Sequence, residues 1–299
     1  MEPCTYVVIL NWRRPDDTLA CIQSVQASRY PNTRLLVVDN GSGDESVSRI
    51  SAAYPGVALL ALPENLGFAG GNNAGIRHAL EGGAELVLVL NNDTVVEPDT
   101  LSELVRGLAQ AGGSIGVPKI CYYDEPGRIW AAGARWRRFP PRVTMVGFGK
   151  WDAPEYNQPG ELSYATGCAL LIGRSVFEAI GGFDPAFVNY QEDYDFCYRA
   201  RQAGHRLAYV PQAVVRHKVS QSLGQQSPAR WHYLGRNAVL FYRPGERFSW
   251  GALGSFLAWV VLREIVQGNL SRLPAYLGGV REGLAVLQQA PSVEDFRSL

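Results

Sequence analysis

Cysteines are few and badly spaced for structural chemistry: the 299-residue chain has five, an odd number, with no C-x-x-C among them. That argues against a disulfide framework and against structural zinc. No apolar run reaches membrane length either. The longest uncharged stretch, Phe248 to Leu262, has fifteen residues, short of the ~20 that span a bilayer. Net charge is missing too, with 28 basic and 28 acidic residues, so no global basic field points to nucleic acid. The start, M-E-P and then six apolar residues, is too short and too acidic for a signal peptide. These absences give the expectation of a cytoplasmic protein. One more absence concerns chemistry. No G-x-G-x-x-G follows the first strand-like run, which counts against a dinucleotide-binding oxidoreductase or methyltransferase.

What is present is enough apolar material for a core, 46% of residues against 19% charged, and a segmented pattern. Thr5 to Leu10 reads as a buried strand ending at Asn11. A helix from about Asp16 to Ala27 puts Leu19, Ile22 and Val25 on one face. Arg34 to Val38 is a second strand ending on Asp39, followed by N-G-S-G-D. A helix (Glu45 to Tyr54) and a third strand (Val57 to Leu62) complete a β-α-β-α-β half. Next comes P-E-N-L-G-F-A-G-G-N-N-A-G-I, read as a glycine-rich loop entering a helix from Asn73 to Leu80. Such a loop permits close backbone approach to a ligand, and a helix start favours an anion; a plain loop-to-helix turn is the other reading.

The fourth strand, Leu86 to Leu90, runs into Asn91-Asn92-Asp93. Short, wholly apolar strands are the mark of a parallel α/β sheet, and such sheets bind ligands beyond the carboxyl ends of their strands. Asn11, Asp39 and Asp93 should therefore rim one edge. Asp39 and Asp93 also suit plain turn-organising roles. Pro118 to Ser163 reads as an irregular insertion with a hairpin that shapes an acceptor pocket. The stretch Thr166 to His217 then carries a strand (Cys168 to Ile172), a helix opening on Glu192 and Asp193, and a histidine ending an apolar run. Asp195 and Arg199 are four apart, a spacing that suits an ion pair. The two acids at the helix start are either a metal and acid–base site or ordinary helix-dipole partners. Helices are expected at Trp231 to Tyr242, Trp250 to Gln267 and Leu273 to Gln289. With no repeat or low-complexity linker, residues 1–225 form the expected main domain and 226–299 a helical region packed on it or on a membrane surface.

Five stretches in this order, V-V-I-L-N-W, L-V-V-D-N-G-S-G-D, N-L-G-F-A-G-G-N-N-A-G, L-N-N-D and E-D-Y-D-F-C-Y-R with a later histidine, resemble an inverting family 2 glycosyltransferase. The likeness covers about residues 5–240, and the wording E-N-L-G-F-A-G-G-N-N is similar to the rhamnosyltransferase-like subset. It implies a GT-A fold: a doubly wound, mostly parallel α/β sheet with helices on both faces, plus the C-terminal helical appendage. It also implies roles. Asp39 would accept the imide N–H of uracil or thymine, with Asn11, Gly70, Gly71, Asn72, Asn73, Asn91 and Asn92 around the nucleotide. Asp93 and His217 would hold a divalent metal, Mn2+ or Mg2+. Asp193 would be the general base and Glu192 would orient the acceptor.

The implied reaction moves one sugar, rhamnose by the loop wording, from a dTDP- or UDP-sugar to a hydroxyl of a glycan or lipid-linked acceptor of the cell surface. Two departures stand out. Asn91 fills the first slot of the usual Asp-x-Asp metal motif. Q-S-P-A-R-W (Gln226 to Trp231) is one residue longer than the Q-x-x-R-W of processive synthases, which favours single addition. Residues 230–281 hold seven arginines against Glu246 and Glu264, and a peripheral contact with the inner membrane face through residues 243–272 is expected from that balance. The alternatives are a sugar-nucleotide pyrophosphorylase, which would want a glycine-rich loop after the first strand, and a non-catalytic nucleotide-sugar-binding protein, which would need no base.

Overall fold

The computed structural model describes residues 2–219, 227–244 and 246–289. Its first half alternates strictly. β1 (Thr5–Asn11), α1 (Pro15–Gln26), β2 (Thr33–Asp39), α2 (Ser46–Ala53), β3 (Ala58–Ala61), α3 (Gly67–Glu81) and β4 (Leu86–Asn91) follow one another, and the four strands pair in parallel. α1 opens with Pro15 at its first position, where a missing N–H costs no helical bond.

The start of α3 is where expectation and structure part. Its helix begins at Gly67, six residues before the predicted Asn73, so the glycine-rich stretch is the helix rather than a loop. Glycine is a poor helix former, yet here bulk is what the site rejects. A Cβ on Gly71 would sit 2.6 Å from Leu10 Cδ1, and one on Gly75 would sit 2.5 Å from Val8 Cγ1. The glycines let the helix lie directly on β1 and β2.

After β5 (Thr94–Val96) and α4 (Thr100–Ala111) comes β6 (Ile115–Tyr122), seven of whose eight residues are buried. The expected irregular insertion from Pro118 therefore starts too early. Proline is ordinarily kept out of central strands; this one pairs with Val210, where the register of the neighbouring strand shifts. β7 (Ile129–Ala131) and the hairpin of β8 (Ala134–Arg138) and β9 (Pro141–Met145) follow. Then come β10 (Gly160–Leu162), β11 (Ala169–Gly173), α5 (Arg174–Ile180), α6 (Glu192–Gln202) and β12 (Leu207–His217). Three helices complete the described chain: α7 (Pro228–Tyr242), α8 (Trp250–Val266) and α9 (Leu273–Gln289). Gln226, the first residue of Q-S-P-A-R-W, lies outside the described residues.

The large sheet has the order β10-β12-β6-β11-β4-β1-β2-β3, with β5 on β12 and β7 on β6. β11 is the antiparallel member between β4 and β6. Alternation along the strands sorts the core onto two faces, as a period of two requires. Val8, Val38 and Val89 face Ile76 of α3, Phe196 of α6 and Val239 of α7. Val7, Ile9 and Leu88 face Ile22 of α1 and Leu104 of α4. The fold is thus the doubly wound, mostly parallel sheet with helices on both faces, and the C-terminal helices contribute to its first core.

Candidate active site

β1 and β2 pair so that Asn11 lies opposite Asp39 at their carboxyl ends. Asn11 Nδ2 donates to Asp39 Oδ1 at 2.7 Å, and Thr18 Oγ1 donates to Asn11 Oδ1 at 2.7 Å. Ser42 adds its hydroxyl to Oδ1 and its N–H to Oδ2 of Asp39 at 2.6 and 3.0 Å. Asp39 does organise its own turn, then, but a carboxylate offers about four acceptor positions, and among the described residues Oδ2 uses one of its two. Asn92 Nδ2 donates to Thr18 Oγ1 at 3.0 Å. One chain of polar contacts therefore runs from the end of β2 to the turn after β4. Thr18 and Ser42 are its links, and neither stood out in the sequence, because their residue types are ordinary for a helix and a turn.

Two residues past β4, Asp93 meets the last residue of β12. Both carboxylate oxygens lie 3.2 Å from His217 Nε2, and both side chains are nearly buried. His217 Nδ1 has no partner among the described residues. Burial opposes charging of this ring, but the Cys168 sulfur and the Asp93 carboxylate outweigh it and raise its pKa above the ordinary histidine value. Among the described residues no group of three or more His, Cys, Asp or Glu could hold a metal; the two partners here are one oxygen and one nitrogen donor.

The turn before β11 joins this pair to the carboxylates of α6. The Cys168 carbonyl accepts from the Asn91 N–H at the end of β4 at 2.9 Å, while the adjacent Gly167 N–H donates to Asp193 Oδ2 at 2.9 Å. Asp193 Oδ1 accepts from the Tyr194 N–H at 2.8 Å. Burial pushes Asp193 up to about 6, against those two N–H groups, which favour the anion. Glu192 is buried with Oε2 unpartnered among the described residues. Burial, and then the charge of Asp193, push it well above the usual carboxylate range. Asp193 is a carboxyl of raised basicity, Glu192 beside it is also biased toward its protonated form, and environments that split two neighbouring carboxyls separate acid and base roles. Farther along α6, Asp195 has the expected partner, Arg199 Nε at 2.7 Å, and a second, Arg247 Nη1 at 2.6 Å.

The segment leading into α6 is strained. Val188, Tyr190 and Gln191 have φ of 61, 70 and 68°, a region costing a non-glycine residue about 1–3 kcal/mol. Asn237 of α7, fully buried, holds it in place. Its Nδ2 lies 2.8, 2.6 and 2.8 Å from the carbonyls of Phe187, Asn189 and Tyr190. Sequence reading missed Asn237, since one asparagine in an amphipathic helix carries no signal.

The remaining expected residues divide. Asn91 ends β4 beside Leu10, and its side chain makes no hydrogen bond among the described residues. Asn72 donates to Phe68 O, with its Oδ1 unpartnered among the described residues. Asn73 is committed elsewhere, its amide both donating to and accepting from the Phe183 backbone at 2.7 and 2.9 Å. Gly70 and Gly71 lie inside α3, pressed on Leu66 and on Leu10 and Asn40. Gly71 is thus packed against the sheet, and the Asn73 amide is bound to the Phe183 backbone.

Comparisons with known proteins agree with this geometry. Residues 3–233 match the model of the family described as glycosyltransferase like family 2. The chain belongs to that family. It is 26% identical over 292 residues to the low-salt glycan biosynthesis hexosyltransferase Agl10 of Haloferax volcanii, covering 93% of this chain and 90% of that protein. It is 28% identical over 215 residues to an N-acetylglucosaminyl-diphospho-decaprenol L-rhamnosyltransferase of Mycobacterium tuberculosis, with 64% and 68% covered. Among solved structures it resembles the mannosyltransferase PcManGT of Pyrobaculum calidifontis in complex with GDP-Man and Mn2+. The TM-score is 0.58 at 18% identity, over 98% of this chain and 77% of that one. GalNAc-T7 with UDP, GalNAc and Mn2+ gives 0.60 at 16% identity, over 87% and 57%. The fold is GT-A, and the protein is a glycosyltransferase.

Proposed function

We propose that the protein is an inverting transferase that moves one sugar from a UDP- or dTDP-linked donor to a hydroxyl of a lipid-linked glycan. The observation that carries this reading is the turn Thr166 to Cys168, which holds Asp193 through Gly167 and the end of β4 through Cys168, beside the Asp93–His217 pair and at the edge where Asp39 also lies. In this reading Asp39 receives the base imide on Oδ2. Asp193 takes the proton of the acceptor hydroxyl as its oxygen attacks the anomeric carbon, and the bond to the diphosphate breaks with its electron pair leaving on phosphate oxygen. Glu192, beside Asp193 and biased toward its protonated form by burial, orients the acceptor.

Asp93 and His217 suit a divalent cation, because Nε2 faces the Asp93 carboxylate and, with its proton displaced by the metal, would form with it an oxygen–nitrogen set that favours manganese over magnesium. Such a cation supplies Lewis-acid charge relief for the leaving diphosphate. Rhamnose is the proposed sugar, supported by the loop wording and by the rhamnosyltransferase relative. Residues 1–225 are proposed as the catalytic unit and 226–299 as its acceptor-side helical region.

That region supports a peripheral membrane contact. No helix among the described residues is long and apolar enough to cross a bilayer. Yet α8 and the turn after it expose Trp250, Leu262, Ile265, Val266 and Leu270, Val266 to 86%. Arg263 and Arg272 flank this ridge and share the single carboxylate of Glu264, which leaves a net positive charge beside the apolar groups, a combination that suits an anionic lipid surface. We propose that it rests on the inner leaflet, where a lipid-linked acceptor would lie.

The test is a thermal-shift panel of nucleoside diphosphates with and without manganese. UDP or dTDP is expected to stabilise the protein more than ADP or GDP, more strongly with manganese, and Asp39→Ala to remove the preference. Equal shifts for all four nucleotides would refute the assignment of Asp39.

A further inference from the structure

Between Arg128 and Asp152 the chain carries five bases, Arg135, Arg137, Arg138, Arg142 and Lys150, and no acid. The nearest acids along the chain are already committed, Glu125 to Arg128 and Asp152 to Lys119. β8 and β9 fold the four arginines into one hairpin, where Arg137 lies directly opposite Arg142. Like charges in that position repel and destabilise the pairing. None of the four has a carboxylate partner among the described residues, and Arg135, Arg137 and Arg138 are exposed. A repulsive cluster kept at the surface calls for an anion from outside the chain.

The turn of the hairpin adds an apolar group. Phe139, between the last residue of β8 and Pro140, is 85% exposed. One exposed apolar side chain needs no explanation by itself, but this one stands among arginines. A cationic group beside an exposed aromatic matches a surface that is anionic at its headgroups and apolar beneath them. A soluble polyanion would use the arginines and leave Phe139 in water, so lipid is the partner these residues favour.

The hairpin is also fixed to the body and continuous with α8. Alternation along β8 puts Trp136 on the face opposite Arg135 and Arg137, and its ring stacks on Phe248 with centroids 5.1 Å apart. Arg142 carries the cationic face on to α8, with its guanidinium 4.4 Å over the Trp259 ring. Leu262 and Val266 of the exposed apolar ridge come three and seven residues after Trp259, a spacing that keeps them on its side of the helix. Hairpin and ridge therefore border one side of α8.

We propose that the β8–β9 hairpin is a lipid-docking arm: its arginines hold the phosphate headgroups of an anionic leaflet, and Phe139 enters the layer beneath them. The inference deepens the membrane contact of α8 and rests on that reading for the side that faces lipid. It adds a second contact, built by the sheet-bearing half of the chain, and a selectivity for anionic phospholipid. Stable peripheral anchoring generally takes two signals, and the hairpin supplies the second.

The experiment is co-sedimentation of the full chain with vesicles of phosphatidylcholine, alone or with about one-third phosphatidylglycerol. Wild type is compared with three variants: Arg135→Gln, Arg137→Gln and Arg138→Gln combined; Phe139→Ser; and the ridge pair Val266→Asp with Leu262→Asp. At low salt the triple variant should bind anionic vesicles at least about twentyfold more weakly, since each arginine near such a surface is worth about a fivefold change. High salt should remove most of that difference. Phe139→Ser should weaken binding about five- to tenfold at either salt. All variants should keep the wild-type nucleotide-induced thermal shift, because the altered side chains are exposed. Hairpin variants that bind like wild type, with the ridge pair alone losing binding, overturn the arm and leave the α8 contact standing. Loss in the hairpin variants with the ridge pair unaffected supports the arm and overturns the ridge. Wild type that binds neither vesicle overturns both, and equal binding to the two vesicles overturns the anionic selectivity. Capture by dextran sulfate without binding to anionic vesicles makes the partner a soluble polyanion and overturns the lipid assignment.

Discussion

At the scale of single residues, Asp193 and Glu192 use one environment in two ways. Both are pushed toward the protonated form by burial, but the Gly167 and Tyr194 N–H groups hold Asp193 ionised near neutrality. Asp193→Asn keeps shape and size and removes basicity, so turnover is expected to fall by roughly 10²–10⁴-fold while nucleotide binding survives. Steady-state transfer rates and thermal shifts on the purified variant check this; a variant turning over at the wild-type rate would move the base elsewhere. The pH profile follows from the same group. A base must be deprotonated, and this one is raised to about 6, so kcat should be level above that value and decline as pH falls through it. A profile still flat well below pH 6 would contradict the assignment. Asn11, Asp39, Asp93 and the histidine were visible in the sequence because each follows an apolar run, and Glu192 and Asp193 because they open a helix. Thr18, Ser42 and Asn237 were not, because their importance is a matter of which atoms they face.

Among the elements, the loop into α6 shows how a functional segment is kept in an unfavourable conformation. Three residues at positive φ persist because Asn237 of α7 binds the carbonyls around them. Asn237→Ala should lower stability by about 1–3 kcal/mol, the cost of leaving buried groups unpaired. It should also slow transfer, although Asn237 touches neither donor nor acceptor. Thermal unfolding together with kcat on the folded fraction tests this; full turnover in a destabilised protein would make the loop a structural detail alone. α3 gives a second case. On Gly75, a Cβ would lie 2.5 Å from Val8 Cγ1 and 2.8 Å from Val38 Cγ2. Gly75→Ala should therefore cost about 1–3 kcal/mol by overpacking and, by displacing β1 and β2, weaken the nucleotide shift. Denaturant titration and the shift assay would show both. Glycine serves close approach of any kind, and at Gly71 and Gly75 the approach seen in the structure is to the sheet.

For the molecule as a whole, the C-terminal helices are built into the catalytic half. Arg247 reaches Asp195 on α6, Arg243 reaches Asp184 at 3.0 Å, and Arg236 donates to the Ala186 carbonyl. Asp195 shows what this does electrostatically: burial would raise its pKa, but Arg199 and Arg247 outweigh burial and hold it low. The opposite face of the same region exposes the apolar ridge of α8. Flotation with anionic liposomes at low salt should carry the protein into the lipid fraction, and Val266→Asp with Leu262→Asp should return it to the soluble one. Wild-type protein that stays soluble refutes the membrane contact.

The sequence by itself determined the sheet. Short apolar runs that end in Asn11, Asp39 and Asn91-Asn92-Asp93 can be buried on both faces only as parallel strands with helices on either side, and that arrangement brings their polar ends to one edge. Motif order likewise carried the family. Tertiary structure alone decided what the C-terminal residues do. Asn237 and Arg247 act across about 50 positions of chain, at 47 for Asn237 to Tyr190 and 52 for Arg247 to Asp195. Periodicity reports which face of a helix is buried, because burial is a local pattern. Which atoms that face meets depends on how the chain returns, and no local pattern records it.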